Sequence, residues 1–303
     1  MLPKLEGYAA ALLGALDDAA RGVVVGELTS LERAVLAQPE LRGVLSDTSL
    51  TGVVRGQVLD DLLASKVHPE TRRVAVYAAS NAPAQEVASA IGELAQSALT
   101  FAETGTLHPR SLGLLSARRR VAGYADALLE GVATGDFARI EEELFRWART
   151  VEENLDLRRV LLDRDAALGS RLGLVDQLLG AKVTPVTLRL ARYVIEGGRP
   201  RDVVGTLDFL VEYVAQARHW RVARVYTARP LDADDQADLV RSLAALTGAD
   251  VELQIADEAD LLGGVVVEVG DVRLDASTRG RLAALHDSVS AGHFYESALT
   301  RND

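Results

Sequence analysis

The sequence predicts a mainly α-helical chain: two tandem six-helix bundles followed by a small α/β domain. Three observations carry that reading. Leu, Ala, Arg and Glu dominate up to about residue 220, and these are good helix formers. That same stretch repeats itself without gaps at an offset of 116, Gly7 falling on Gly123. Beyond about residue 220, Val-rich alternation replaces the helical period. The expected boundaries are 1–105 for the first bundle, 106–117 for a linker, 118–218 for the second bundle and 219–303 for the α/β domain.

The repeat is read residue by residue. "GYAAALLGAL" from Gly7 is echoed by "GYADALLEGV" from Gly123, and Glu27-Leu28 falls on Glu143-Leu144. "LLASKVHPETRRVAVY" (Leu62 to Tyr77) falls on "LLGAKVTPVTLRLARY" (Leu178 to Tyr193), with Leu, Lys, Val, Pro, Thr, Arg, Ala and Tyr coinciding.

Each copy opens with a helix whose apolar residues share one face: Tyr8, Leu12 and Ala15 in the first, Tyr124, Leu128 and Val132 in the second. Pro39 and the Asp156-Leu157 pair end the second helix and start a short third one. Ser49 or Thr51 caps the fourth. Pro69 and Pro185 stand at first-turn positions, where a missing N–H costs nothing. Pro83 and Gly197-Gly198 divide the last two helices of each copy, and Gly105, Pro109 and Gly113 mark the linker. Short connections favour antiparallel bundles.

In the third region "WRVARVYTA" alternates as a half-buried strand does. A helix follows, capped by Asp232 and stopped at Gly248. "DVELQIAD" is a second strand, and "GVVVEVG", a turn at Gly270-Asp271 and "VRLDAS" form a hairpin. A closing helix comes next, and "HFYESALTRND" reads as a frayed tail.

The chemistry is notable for what it lacks. A net charge of −11 repels nucleic acid and anionic lipid, and the run Arg118-Arg119-Arg120 reads as a solvated helix start. With no cysteine, thiolate metal sites and Cys nucleophiles are excluded. No apolar run has the roughly 20 residues that span a bilayer. The histidines at 68, 108, 219, 286 and 293 have no metal-ligand spacing, and Asp163 and Asp232 read as caps rather than cation ligands. Asp60-Asp61 and Glu141-Glu142-Glu143 read as solvated helix faces. Gly263-Gly264 precedes a strand, not a helix, and Asp271 would repel a phosphate, so these glycines turn the chain rather than cradle an anion. The expectation is no catalytic residue, no metal and no cofactor.

With these residues set out, the pattern resembles the delta subunit of F-type ATP synthases, the counterpart of the mitochondrial oligomycin-sensitivity-conferring protein. The likeness runs from about Ser116 to Ser290. It rests on "ARRRVAGYADALLE", "LLGAKVTPVTLRLARYVIEGGRPRDV", "RVARVYTARPLDADDQ" and "LLGGVVVEVGDVRLDASTRGRLAAL". In the last stretch Gly263, Gly264, Gly270, Asp271, Asp275, Ser277 and Leu282 occupy the family's places. Glu258, Ala259 and Asp232 depart mildly from it. The first copy is extra relative to a standard delta subunit. Actinobacterial relatives carry such an extension in a fused polypeptide, where a membrane-anchored b-type segment comes first. The chain begins at Met1-Leu2-Pro3-Lys4 without such an anchor, so the expectation is the delta part of a fusion.

The resemblance implies a stator subunit rather than an enzyme. It would join the catalytic head to the peripheral stalk at the cytoplasmic face of the plasma membrane and reach that membrane only through the stalk. Its implied partners are N-terminal helices of the alpha subunits and a b-type stalk segment. An amphipathic helix would dock between the first and fifth helices of a bundle. In the second bundle the expected lining is Tyr124, Leu128, Leu188, Ala191 and Ile195; in the first, Tyr8 and Leu12 with Arg72, Ala75 and Ala79. Arg72 opposite Leu188, and Glu70 opposite Val186, make the first copy's face the more polar. The alternative is an unrelated helical adaptor with a nucleotide-binding α/β domain.

Overall fold

The structure, a computed structural model, describes residues 2–104, 113–163, 165–197, 202–219, 222–247, 251–257, 261, 263–269 and 272–278. Two compact units divide the chain at Val214 and Ala215.

The first unit carries six helices from each copy. The first copy gives α1 (Pro3–Leu13), α2 (Asp18–Ala37), α3 (Pro39–Ser46), α4 (Gly52–Leu63), α5 (Pro69–Asn81) and α6 (Val87–Thr104). Its partner gives α7 (Leu114–Leu129), α8 (Phe137–Glu153), α9 (Leu155–Leu162), α10 (Leu168–Leu179), α11 (Pro185–Glu196) and α12 (Val203–His219). The predicted linker differs at one end, because α7 begins at Leu114 rather than after 117. Both copies fall within one compact unit.

Local chemistry sets the helix ends. Asp17 caps α2 by accepting from the Ala20 N–H at 2.8 Å, and Thr51 caps α4 by accepting from Val54. Pro39, Pro69 and Pro185 each occupy the first turn of a helix, where the donor they lack has no partner to lose. The α8 stripe of Phe137, Ile140, Leu144, Trp147 and Val151 is buried at helical spacing. Each such side chain contributes about 1.5–3 kcal/mol of burial.

The acid runs and the basic run are less solvated than the sequence suggests. Glu143 is buried and accepts from the Thr184 N–H at 2.8 Å, the Thr184 hydroxyl at 2.9 Å and the Thr187 hydroxyl at 2.7 Å. It caps α11 from another helix. Its repeat partner Glu27 does the same for α5, accepting from the His68 N–H and the Thr71 hydroxyl. Burial alone would raise the Glu143 pKa, but these hydrogen bonds outweigh it and hold the carboxyl below its usual range. Arg120 is also buried, paired with Glu6 at 3.2 Å, and Arg118 pairs with Asp202. A run of like charge at a helix start hid the fact that successive residues face different ways.

The second unit holds a four-stranded sheet in the order β2-β1-β3-β4, from β1 (Val222–Thr227), β2 (Glu252–Asp257), β3 (Val265–Val269) and β4 (Val272–Asp275). Helix α13 (Ala233–Thr247) joins β1 to β2, which pair in parallel as a helical crossover allows. Asp232 caps α13 through the Asp235 N–H at 2.8 Å. Strand β3 pairs antiparallel with β1 and with β4, in a register that puts Val269 opposite Val272. Ala223, Val225, Leu243, Val251, Val267 and Val269 form its core. The expected turn at Gly270-Asp271, the stop at Gly248, the closing helix and the tail lie outside the described residues.

Candidate functional site

Tyr8, Leu12 and Tyr124 of the expected partner-binding residues meet at a seam between the two copies. Helix α1 is buried along nearly its whole length, from Leu5 to Leu13 with only Glu6 breaking the run. A helix buried on every side needs neighbours on every side. Helices α5 and α6 of its own copy supply some of them, and α7 of the other copy supplies the rest.

The crossing of α1 and α7 depends on two glycines. A Cβ on Gly7 would lie 1.8 Å from the Arg120 carbonyl oxygen, and one on Gly123 would lie 1.8 Å from that of Lys4. Residues 4 and 7 correspond to 120 and 123 in the repeat, so each glycine admits the other copy's equivalent backbone. That reciprocity defines an isologous contact, here built within one chain. The flanking contacts obey it too. Arg73 donates to the Ala127 carbonyl at 3.2 Å, and its equivalent Arg189 donates to that of Ala11 at 2.9 Å. Tyr8 stacks on Tyr77 and Tyr124 stacks on Tyr193, both with ring centroids 3.7 Å apart.

Two carboxylates, Asp126 on α7 and Glu130 at its C-cap, complete one end of the seam. Asp126 accepts from the hydroxyls of Tyr77 and Tyr213, each at 2.5 Å, and pairs with Lys4 at 3.0 Å. Glu130 accepts from the Tyr8 hydroxyl at 2.7 Å and pairs with Arg73 at 2.6 Å. Burial, then the adjacent carboxylates, pushes the Tyr8, Tyr77 and Tyr213 phenols well above their ordinary pKa.

Tyr8 and Leu12 of one expected groove and Tyr124 of the other therefore share an intramolecular contact. Tyr8, Leu12, Ala191 and Ile195 are buried, as are Ala75 and Ala79, while Tyr124, Leu128, Leu188 and Arg72 are half-buried. Tyr8 and Leu12 belong to a core that also takes in Ala127 and has Tyr124 packed against it.

An open apolar groove lies elsewhere, between α8, α9 and α10. It encloses about 550 Å³, and its lining includes Trp147, Leu157, Val160, Leu174, Leu178 and Val183. Trp147 Nε1 is buried there and has no hydrogen-bond partner among the described residues. Val160 is 46% exposed, and its repeat equivalent Val44 is 38% exposed. An apolar residue kept at an exposed position in both copies was the available signal for this groove, although helical periodicity passes over it.

The glycine-rich stretch near the C-terminus is a structural joint. Gly264 has φ +80°, and a Cβ there would lie 2.5 Å from the Ala276 carbonyl oxygen. The Ala276 N–H donates to the Val265 carbonyl and the Thr278 N–H to the Gly263 carbonyl, each at 2.9 Å. Hydrogen bonds from the Ser277 side chain and N–H hold the Asp275 carboxyl below its usual range. Gly270, Asp271 and Leu282 lie outside the described residues.

Residues 121–289 match the family described as the ATP synthase delta (OSCP) subunit. Three relatives named ATP synthase subunit delta are similar over most of the chain. That of Salinispora tropica is 31% identical over 268 residues, 88% of each chain. That of Rhodococcus opacus is 32% identical over 271 residues, 89% of this chain and 88% of its own. That of Streptomyces avermitilis is 33% identical over 259 residues, 82% of this chain and 93% of its own.

Proposed function

The chain belongs to the ATP synthase delta (OSCP) subunit family, and from that premise we propose how it works within the peripheral stalk of an F-type ATP synthase. It is a non-catalytic subunit of that complex. The observation that carries this is the family match across the second copy and the α/β domain. As a stator it holds the head still while the rotor turns. No helix among the described residues is long and apolar enough to cross a membrane, so attachment at the cytoplasmic face of the plasma membrane runs through the b-type segment.

The head is gripped through N-terminal helices of the alpha subunits. We place the docking helix in the α8–α10 groove, because it is apolar, open and lined by Trp147, whose indole N–H has no hydrogen-bond partner among the described residues. Arg146, Asp156 and Lys182 at its edge supply both signs of charge for the helix's polar flank. The second reading keeps the seam face, with Tyr124, Leu128 and Leu188 its half-buried edge; it requires the two copies to part. The α/β domain faces the stalk segment.

Titrating the full chain with a synthetic alpha N-terminal peptide separates the readings. On the groove reading Val160→Asp weakens binding at least tenfold and Leu188→Ala leaves it unchanged. The reverse result moves the site to the seam, and no binding by either face removes the proposed role in holding the head.

A further inference from the structure

The reciprocity of the seam fails at one end, and the failure leaves a cavity. At the complete end Asp126 of α7 and Glu130 at its C-cap receive Tyr77 and Tyr8, with Arg73 alongside. Their repeat equivalents on α1 are Ala10 and Gly14, which carry no acid. Tyr193, Tyr124 and Arg189 nevertheless keep the places of Tyr77, Tyr8 and Arg73. Together with Ala10 and Gly14 they line a cavity of about 380 Å³. Such a volume suits a small molecule.

The charges on its wall favour an anion. Arg120 and Arg192 line it too, but Glu6 and Asp176 already neutralise them. Arg189 donates to the Ala11 carbonyl and, among the described residues, has no carboxylate partner. Its guanidinium lies 6.0 Å from the centre of the Tyr124 ring. Glu196 is the one acid on the wall among the described residues, and burial raises its pKa against the pull of Arg192. Burial likewise raises the Tyr193 and Tyr124 phenols, the latter against the charge and hydrogen bond of Arg189, so both hydroxyls keep a proton to donate and Arg189 is held beside Tyr124.

We propose that this cavity binds a small oxyanion, a carboxylate or a phosphate, where the sister end of the seam holds the side chains of Asp126 and Glu130. Arg189 and the two phenols are its donors. Because α1, α7 and α11 all contribute to the wall, an anion seated there ties the two copies together and stabilises the joined seam by mass action.

Calorimetric titration of the full chain with citrate and, separately, inorganic phosphate tests this, with sodium chloride of matched ionic strength as the control. One site per chain is expected for at least one probe, and the tighter probe identifies the oxyanion. Arg189→Gln weakens it about tenfold or more, as loss of a charge-assisted hydrogen bond does. Gly14→Glu, or Ala10→Asp should the first fail to fold, supplies the missing carboxylate covalently, abolishing binding and raising the Tm. Gly14→Ala keeps binding and separates charge from bulk. Absence of binding by both probes at on the order of 10 mM overturns the proposal, as does binding that survives both Arg189→Gln and the added acid.

Discussion

At one end of the seam Tyr8 and Tyr77 donate to Glu130 and Asp126, whereas at the other Tyr124 and Tyr193 stack identically beside Ala10 and Gly14. Glycines, stacked rings and capping glutamates agree between the copies; the carboxylate partners of the tyrosines do not. A second divergence is graded. Asp60 is met by Arg72 on α5, but its equivalent Asp176 is met by Arg192, one turn further along α11. Close backbone approach tolerates no alternative, while an ion pair is satisfied from several positions. Duplication has therefore kept the sterics and let the electrostatics drift.

The largest test of that division is at the crossing. Gly7→Leu and Gly123→Leu each force α1 and α7 apart, and each should lose on the order of 3 kcal/mol or more in urea denaturation. Unequal losses would show that the crossing is not the reciprocal contact described. Next come the capping acids. Glu143→Ala removes the acceptor of three donors, one of them buried, and should lose about 2–3 kcal/mol, while Glu27→Ala removes the acceptor of two part-buried donors and should lose about 1–2. The Glu143 carboxyl is depressed in the fold, so its stabilisation is present above the unfolded value of about 4.3 and disappears as pH falls through the lower folded value. Glu143→Gln should flatten that acid limb.

Smaller effects sharpen the contrast between the ends. Tyr77→Phe removes a donor to Asp126 and should lose about 1–1.5 kcal/mol, whereas Tyr193→Phe should change little in anion-free buffer. Tyr8, Tyr77, Tyr193 and Tyr213 all have raised folded pKa values, so their contribution is complete below the unfolded value of about 10 and is lost as pH rises beyond it. A fluorescence melt across alkaline pH measures this. Least of all is Gly22, whose repeat equivalent is Ala138 and beside which an added Cβ meets nothing within 4 Å. Gly22→Ala should gain up to about 1 kcal/mol.

The helices and strands were legible because their punctuation is local. Pro39, Pro69, Pro185, Thr51 and Asp232 act within a few residues of themselves. The seam was not legible, because a helical apolar face looks alike whether it meets a partner protein or a second copy of itself. Tyr8, Leu12 and Ala191 announce burial and say nothing of what buries them. The burial of Glu143 and Arg120 was hidden for a related reason, since the like charges just before them, Glu142 and Arg119, are exposed. The coincidence of Gly7 with Gly123 was visible throughout, and only the fold shows it to be two backbones in contact.

The enclosed first helix also has a temporal side. Part of the shelter for Leu5 to Leu13 comes from α7, more than a hundred residues downstream. Synthesis runs from the N-terminus, and contacts so distant along the chain form late. Helix α1 thus leaves the ribosome well before α7 and is fully covered only after it, and until then its leucines and alanines are open to chaperones and to other nascent chains.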